Sequence, residues 1–188
     1  MNVRKPFVVS INAVSGGGKT TVSELVRQDL SATLLSFDDF DDTNVHPGDL
    51  CEWAVNGANL LEFDFPGMAT AVQTALEDHS TEFIVLDYPF GRDHPRFRPI
   101  IDLSVFIDTP LDVAMARRIL RDYVPVSSGG VDQLQSLREE MAHYVKRARI
   151  AYLDTMRHKE TSDLVLDGCQ SPEKLAACVV REVPEAHA

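Results

Sequence analysis

The sequence predicts an α/β fold, with a parallel sheet covered by helices on both faces. Three observations predict it. Short apolar runs recur at Phe7–Ile11, Phe83–Leu86 and Leu103–Ile107. They are continuous where a half-exposed strand would alternate, as strands buried on both faces require. Helical stretches separate them, and a glycine-rich turn, Gly16-Gly17-Gly18, leads from the first run into the first helix.

The elements follow in order. Phe7–Ile11 is the first strand and Thr20–Leu30 its helix. Thr33–Phe37 is a second strand that runs into Asp38-Asp39-Phe40-Asp41-Asp42. Residues 41–59 are mixed, because Pro47 and Gly48 interrupt regular structure. Pro66–Leu76 reads as a helix, with Met68, Val72, Ala75 and Leu76 on one face. Phe83–Leu86 is a strand that ends at Asp87, and residues 88–99 form a loop rich in Pro and Arg. Leu103–Ile107 is the next strand. Thr109-Pro110 then reads as a cap and first turn, starting a helix through about Arg121. Ser127-Ser128-Gly129-Gly130 reads as a flexible joint. Beyond it, Leu134, Leu137, Met141, Tyr144, Ala148 and Ala151 make an apolar stripe on a long helix. Asp163–Leu166 is the last strand, and Ser171-Pro172 caps a final helix carrying Leu175 and Val179. With no repeat, linker or low-complexity tract, one domain over residues 1–188 suffices.

Composition narrows the partners. The chain is 44% apolar and 25% charged, as a soluble globular domain requires. Its formal net charge of −11 opposes binding to nucleic acid or anionic membrane, so clustered cations are better matched to a small anionic ligand. Cys51, Cys169 and Cys178 lack metal-ligand spacing and read as free thiols of a reducing compartment. With no long apolar run or secretory signal, the expected place is the cytoplasm.

The motif that carries chemistry is the turn at 13–20, Ala-Val-Ser-Gly-Gly-Gly-Lys-Thr. A phosphate-binding loop needs successive backbone N–H groups and a helix N-terminus converging on a polyphosphate. Gly18, Lys19 and Thr20 fit the pattern G-x-x-x-x-G-K-[ST], while Ala13 stands at its leading glycine. Lys19 is a point charge for the terminal phosphates, and Thr20 offers a hydroxyl to Mg²⁺. Val14, Ser15, Gly16, Gly17, Gly18, Lys19, Thr20 and Thr21 are the candidate nucleotide-binding residues, with ATP and Mg²⁺ as cofactors. Alanine at 13 predicts a slightly altered loop entrance.

Ligands of open α/β sheets sit beyond the carboxyl ends of the strands. Two acidic sites fall there, the 38–42 run and Asp87. Thr20, Asp38 and Asp87 are candidate Mg²⁺ residues, and either Asp38 or Asp39 is a candidate base for a substrate hydroxyl. Arg117, Arg118 and Arg121 share a helix face beside the 127–130 joint, as a lid over phosphates would. A salt-bridged surface is the alternative, since Arg118 and Asp122 are four apart. Arg92, Arg96 and Arg98 either bind an anionic substrate or line an exposed loop. Trp53, with Phe63 and Phe65, either stacks on a substrate ring or packs in the core. His94 reads as a loop residue.

Taken together, four segments resemble the uridine kinase and nicotinamide riboside kinase group of P-loop kinases. They are Val14-Ser-Gly-Gly-Gly-Lys-Thr-Thr; Ser36-Phe-Asp-Asp-Phe; Phe83-Ile-Val-Leu-Asp; and Phe106-Ile-Asp-Thr-Pro through Ala116-Arg-Arg-Ile-Leu-Arg-Asp. The resemblance implies a three-layer P-loop NTPase fold, with a central five-stranded parallel sheet and a small helical lid at about 117–135. It implies ATP·Mg²⁺-dependent phosphorylation of a primary hydroxyl on a nucleoside-like small molecule. Asp38 matches the group's catalytic aspartate, Asp87 the acid after the third strand, and Arg117, Arg118 and Arg121 the basic lid helix.

The chain also departs from the group. Asp87 stands where the group usually has Glu, followed here by Tyr88-Pro89. Residues 49–65 match poorly. The group has there an acid that contacts ribose hydroxyls, and Asp49 and Glu52 are the candidates. Two rival readings stand beside this one: a non-catalytic nucleotide-binding module, and a kinase for a sugar acid gripped by Arg92, Arg96 and Arg98. A homodimer is compatible with each.

Overall fold

In the computed structural model, which describes residues 5–123 and 131–185, five strands form one all-parallel sheet. They are β1 (Phe7–Ala13), β2 (Thr33–Ser36), β3 (Phe83–Asp87), β4 (Leu103–Asp108) and β5 (Leu164–Asp167), in the order β2-β3-β1-β4-β5. β1 lies at the centre, pairing Val9 with Val85 on one side and with Leu103 on the other. All five strands point the same way, so all five carboxyl ends open on one edge.

The sheet separates two apolar layers. On one face Val9, Ile11, Val85, Val105 and Ile107 pack with Val22 and Val26 of α1 (Lys19–Leu30) and with Leu175 and Val179 of α7 (Pro172–Glu182). On the other, Val8, Ile84, Leu86 and Tyr88 pack with Met68 and Val72 of α3 (Pro66–Glu77) and with Phe63, Phe65, Phe90 and Phe97. Strand residues of both parities are buried, which explains why the runs read as continuous. The α/β three-layer architecture and the five-stranded parallel sheet stand as expected.

Several elements differ from the sequence reading, each for a local reason. β1 continues past Ile11 because Asn12 and Ala13 pair with Phe106 and Ile107. A short helix, α2 (Leu50–Val55), follows Pro47-Gly48, where Asp49 caps it by accepting from the N–H groups of Cys51 and Glu52. Thr109 is not a helix cap. The first turn of α4 (Leu111–Tyr123) closes on Pro110, whose carbonyl accepts from Ala114 N–H.

The stretch read as one long helix is α5 (Val131–His143), a π turn over Tyr144–Ala148, and α6 (Arg149–Thr155), followed by a 3₁₀ turn to Thr161. Of its predicted stripe, Leu137, Met141, Tyr144, Ala148 and Ala151 are half-buried, whereas Leu134 is exposed. The 127–130 joint, and with it the middle of the predicted lid, lies outside the described residues. Among the described residues no helix is long and apolar enough to cross a membrane.

Candidate active site

The loop between β1 and α1 forms an anion cradle at the middle of the sheet's carboxyl edge. Gly17 N–H donates to Val14 C=O at 2.8 Å, which tightens the turn. Gly16 and Gly18 have φ of 82° and 99°, a region that costs glycine little and other residues much. Gly16 also lies so close to α4 that a Cβ would overlap the Ala114 carbonyl. Ala13 fits as the last, buried residue of β1, with φ outside the left-handed region. A Cβ at Gly17 would overlap that of Ala13, so the glycine at 17 makes room for the alanine at 13.

The cradle opens on a cavity of about 350 Å³. Its wall brings together Val14, Ser15, Gly16, Gly18, Lys19, Thr20, Thr21, Asp38, Arg117 and Arg121, with Phe37 and Pro89 as apolar neighbours. Asp38 arrives on a 3₁₀ turn, Phe37–Phe40, directly after β2. Arg117 and Arg121 arrive from α4. Arg121 is clamped by both carboxylate oxygens of Asp122, and that bond first, with the charge of Asp38 adding to it, holds the guanidinium protonated above its ordinary range. Arg117 donates to Gly168 C=O at 3.0 Å from the turn after β5.

Other predicted residues are engaged elsewhere. Asp87 is fully buried and ion-paired with Lys19, and Ser36 Oγ lies 3.4 Å from its second oxygen. It does not line the cavity, which corrects its reading as a direct metal residue. Its carboxylate stands behind the ammonium group, where the end of β3 puts it. Asp39 shares the turn of Asp38 but not the cavity wall.

Arg118 is also off the wall. Its guanidinium bonds Tyr152 Oη and Glu140, so it ties α4 to α5 and α6. Burial raises the pKa of Tyr152, keeping that phenol neutral beside it.

The acceptor-side candidates are corrected more strongly. Trp53 is core: it is buried, packs edge-on against Phe63, and donates from Nε1 to Asn59 C=O. Arg92 donates to the carbonyls of Ile101 and Asp102 and to the Asp163 carboxylate. Arg96 pairs with Asp64, and Arg98 donates to the carbonyls of Arg92 and Asp93. Asp49 holds the α2 N-terminus and Arg147, while Glu52 lies exposed 3.9 Å from the same guanidinium. His94 is buried against Phe65, and burial pushes its pKa down.

Thr20 and Asp38 supply oxygen donors of the kind Mg²⁺ takes, on one wall with room for phosphate oxygens. Among the described residues no three His, Cys, Asp or Glu groups converge as a metal site. Sequence reasoning missed Thr109 and Gly168. Both lie just past strand ends, a position that signals a site, but neither side chain is charged.

Comparison with known proteins agrees with this geometry. No family model matches the chain. The chain is 29% identical over 144 residues to a uridine kinase of Lactiplantibacillus plantarum, covering 63% of this chain and 69% of that protein. It is 22% identical over 191 residues to a uridine kinase of Streptococcus pyogenes, covering 87% and 92%. A Schizosaccharomyces pombe uridine kinase is 28% identical over 146 residues, 63% of this chain but 32% of that protein, so the chain spans about a third of this relative.

Among solved structures, a gluconokinase of Sinorhizobium meliloti 1021 aligns with a TM-score of 0.50 at 18% identity, covering 95% of this chain and 90% of that one. A shikimate kinase of Acinetobacter baumannii, in complex with shikimate, aligns with a TM-score of 0.50 at 14% identity, covering 95% and 92%. The structural likenesses speak for the fold. The sequence relatives bear out the resemblance to uridine kinase-like P-loop kinases.

Proposed function

We propose that the chain is an ATP- and Mg²⁺-dependent small-molecule kinase whose acceptor is a neutral, nucleoside-like alcohol. One observation carries the reading: a single cavity gathers the loop, Lys19, a carboxylate at Asp38 and the cations Arg117 and Arg121. Phosphoryl transfer needs these parts and little else, because it proceeds by positioning and charge neutralisation. The names of the relatives support the class of reaction and of acceptor.

In this reading the loop N–H groups, Lys19 and Arg117 bind the phosphates. Thr20 and Asp38 would hold the cation, which would supply charge neutralisation along the phosphate chain. Asp38 accepts the acceptor's hydroxyl proton as its oxygen bonds to the γ-phosphorus and the bond to the β-phosphate oxygen breaks. Arg121 offsets charge on the transferring group. Asp87 acts through Lys19, holding the ammonium at the cradle. The sugar-acid alternative loses its motivation, since Arg92, Arg96 and Arg98 all bond within the protein.

The test is ADP release over a panel of uridine, cytidine, nicotinamide riboside and sugar acids. Asp38→Asn is expected to lower turnover by roughly 10²–10⁴-fold, the usual contribution of a positioned general base, with ATP binding retained. Wild-type turnover in that variant would remove Asp38 from its role. ADP release with no acceptor above background would remove the kinase reading.

A further inference from the structure

We infer that Thr109 is a positioning residue that turns the Gly17–Gly18 peptide so that the Gly18 N–H faces the phosphates. This rests on the kinase reading above, since it needs an anion in the cradle.

Thr109 follows β4 and is completely buried. Its hydroxyl donates to Gly17 C=O at 2.8 Å. Gly17 is also held from its other side, where its N–H donates to Val14 C=O. Gly17 does not line the cavity, whereas Gly16 and Gly18 do. The Gly17–Gly18 peptide is trans and planar, so its C=O and N–H point in opposite directions. With the carbonyl turned to Thr109, the Gly18 N–H is turned away from Thr109, toward the cavity. One hydroxyl thereby sets the direction of a donor that is itself backbone and cannot choose a rotamer.

The hydroxyl is held in turn. A Cβ at Gly168 would overlap Thr109, so the turn after β5 is seated directly on this side chain. Gly168 N–H donates to Asp108 C=O at 3.1 Å, and Gly168 C=O accepts from Arg117. Thr109 therefore joins two groups that face the same anion, the loop amide and the Arg117 guanidinium. The sequence marks it only as part of the Phe106-Ile-Asp-Thr-Pro segment, with no charge of its own to suggest a role.

Thr109→Val keeps the shape and removes the donor, while Thr109→Ser keeps the donor. The readouts are calorimetric ATP·Mg²⁺ affinity, KM and kcat, thermal midpoint, and the ATP-induced shift of the Gly18 amide resonance by NMR. Thr109→Val is expected to bind ATP roughly tenfold more weakly, the size of one lost hydrogen bond to a phosphate-orienting group. Its KM for ATP rises more than its kcat falls, its Gly18 shift shrinks, and Thr109→Ser restores all three.

Wild-type affinity and Gly18 shift in folded Thr109→Val overturn the inference and leave the kinase reading standing. So does Thr109→Ser as weak as the valine variant. If Thr109→Val does not fold, Gly168→Ala, which crowds Thr109, carries the test at the Gly18 amide: a smaller ATP-induced shift of that resonance supports the inference and a wild-type shift overturns it. A wild-type protein that binds no ATP overturns both readings.

Discussion

The cavity wall and the segments 49–65 and 88–99 differ in what their polar groups face. The loop residues and the cations Lys19, Arg117 and Arg121 reach the cavity wall, although each cation also has a partner within the protein. Of residues 49–65 and 88–99, Pro89 alone lines that wall, and charged and aromatic groups of these segments bond or pack within the protein. Arg92, Arg96, Arg98, Asp49 and Trp53 hold loops, a helix end and an aromatic core. The difference teaches that a charged side chain near a site is informative only when its partner is known. A backbone cradle advertises itself, because glycines at fixed spacing have few other reasons to occur together.

The sharpest way to break this contrast is at Lys19, which both reaches the wall and pairs within the protein. Lys19→Met is expected to abolish ATP turnover and also to cost about 3 kcal/mol or more of stability, because Asp87 is left buried without its cation. The pair Lys19→Met and Asp87→Leu is expected to regain most of the stability and none of the turnover. Chemical denaturation beside an ADP-release assay separates the two effects. A double variant that regains turnover would show the ammonium to be structural only.

Trp53→Ala tests the 49–65 segment as core. Emptying a buried Trp site is expected to destabilise the fold by roughly 3–5 kcal/mol, while KM for ATP in the surviving folded protein stays unchanged. Trp53→Phe is expected to recover most of the loss. A change confined to acceptor KM, with full stability, would return Trp53 to the substrate.

The smallest effect is expected at Asp49. The Glu52 N–H first, then the Cys51 N–H and Arg147, hold its carboxyl below the ordinary range. A carboxyl whose folded pKa is depressed stabilises the fold above its unfolded value, and that stabilisation is lost as pH falls through the folded pKa. Asp49→Ala is therefore expected to lower the thermal midpoint slightly at neutral pH. The gap between variant and wild type closes as pH is taken below the ordinary aspartate range. A pH-independent gap would mean that the carboxylate contributes shape rather than charge.

Much of the molecule was legible residue by residue. Apolar runs marked all five strands to within two residues at each end, with Leu164–Asp167 shifted by one from its reading. The short α2 was hidden behind Pro47-Gly48, because its cap, Asp49, reads equally well as a ligand. The π turn at Tyr144–Ala148 was hidden because a helical stripe survives one widened turn nearly intact. Asp38 and Asp39 are indistinguishable by residue type, and only the resemblance singled out Asp38; their separation, one on the wall and one off it, follows from the geometry of a 3₁₀ turn.

By itself the sequence determined the alternation of strand and helix, the phosphate cradle and the acids that end the strands, because each follows from local spacing and backbone preference. Only the tertiary structure decided which side chains reach the cavity wall and which are held by partners away from it. Asp87 turned to Lys19, Arg118 to Tyr152 and Glu140, Arg92 to Asp163, and Thr109 to Gly17. Each of those partners lies more than 20 residues away in sequence and meets its mate only when the sheet, the loops and the helices close around them.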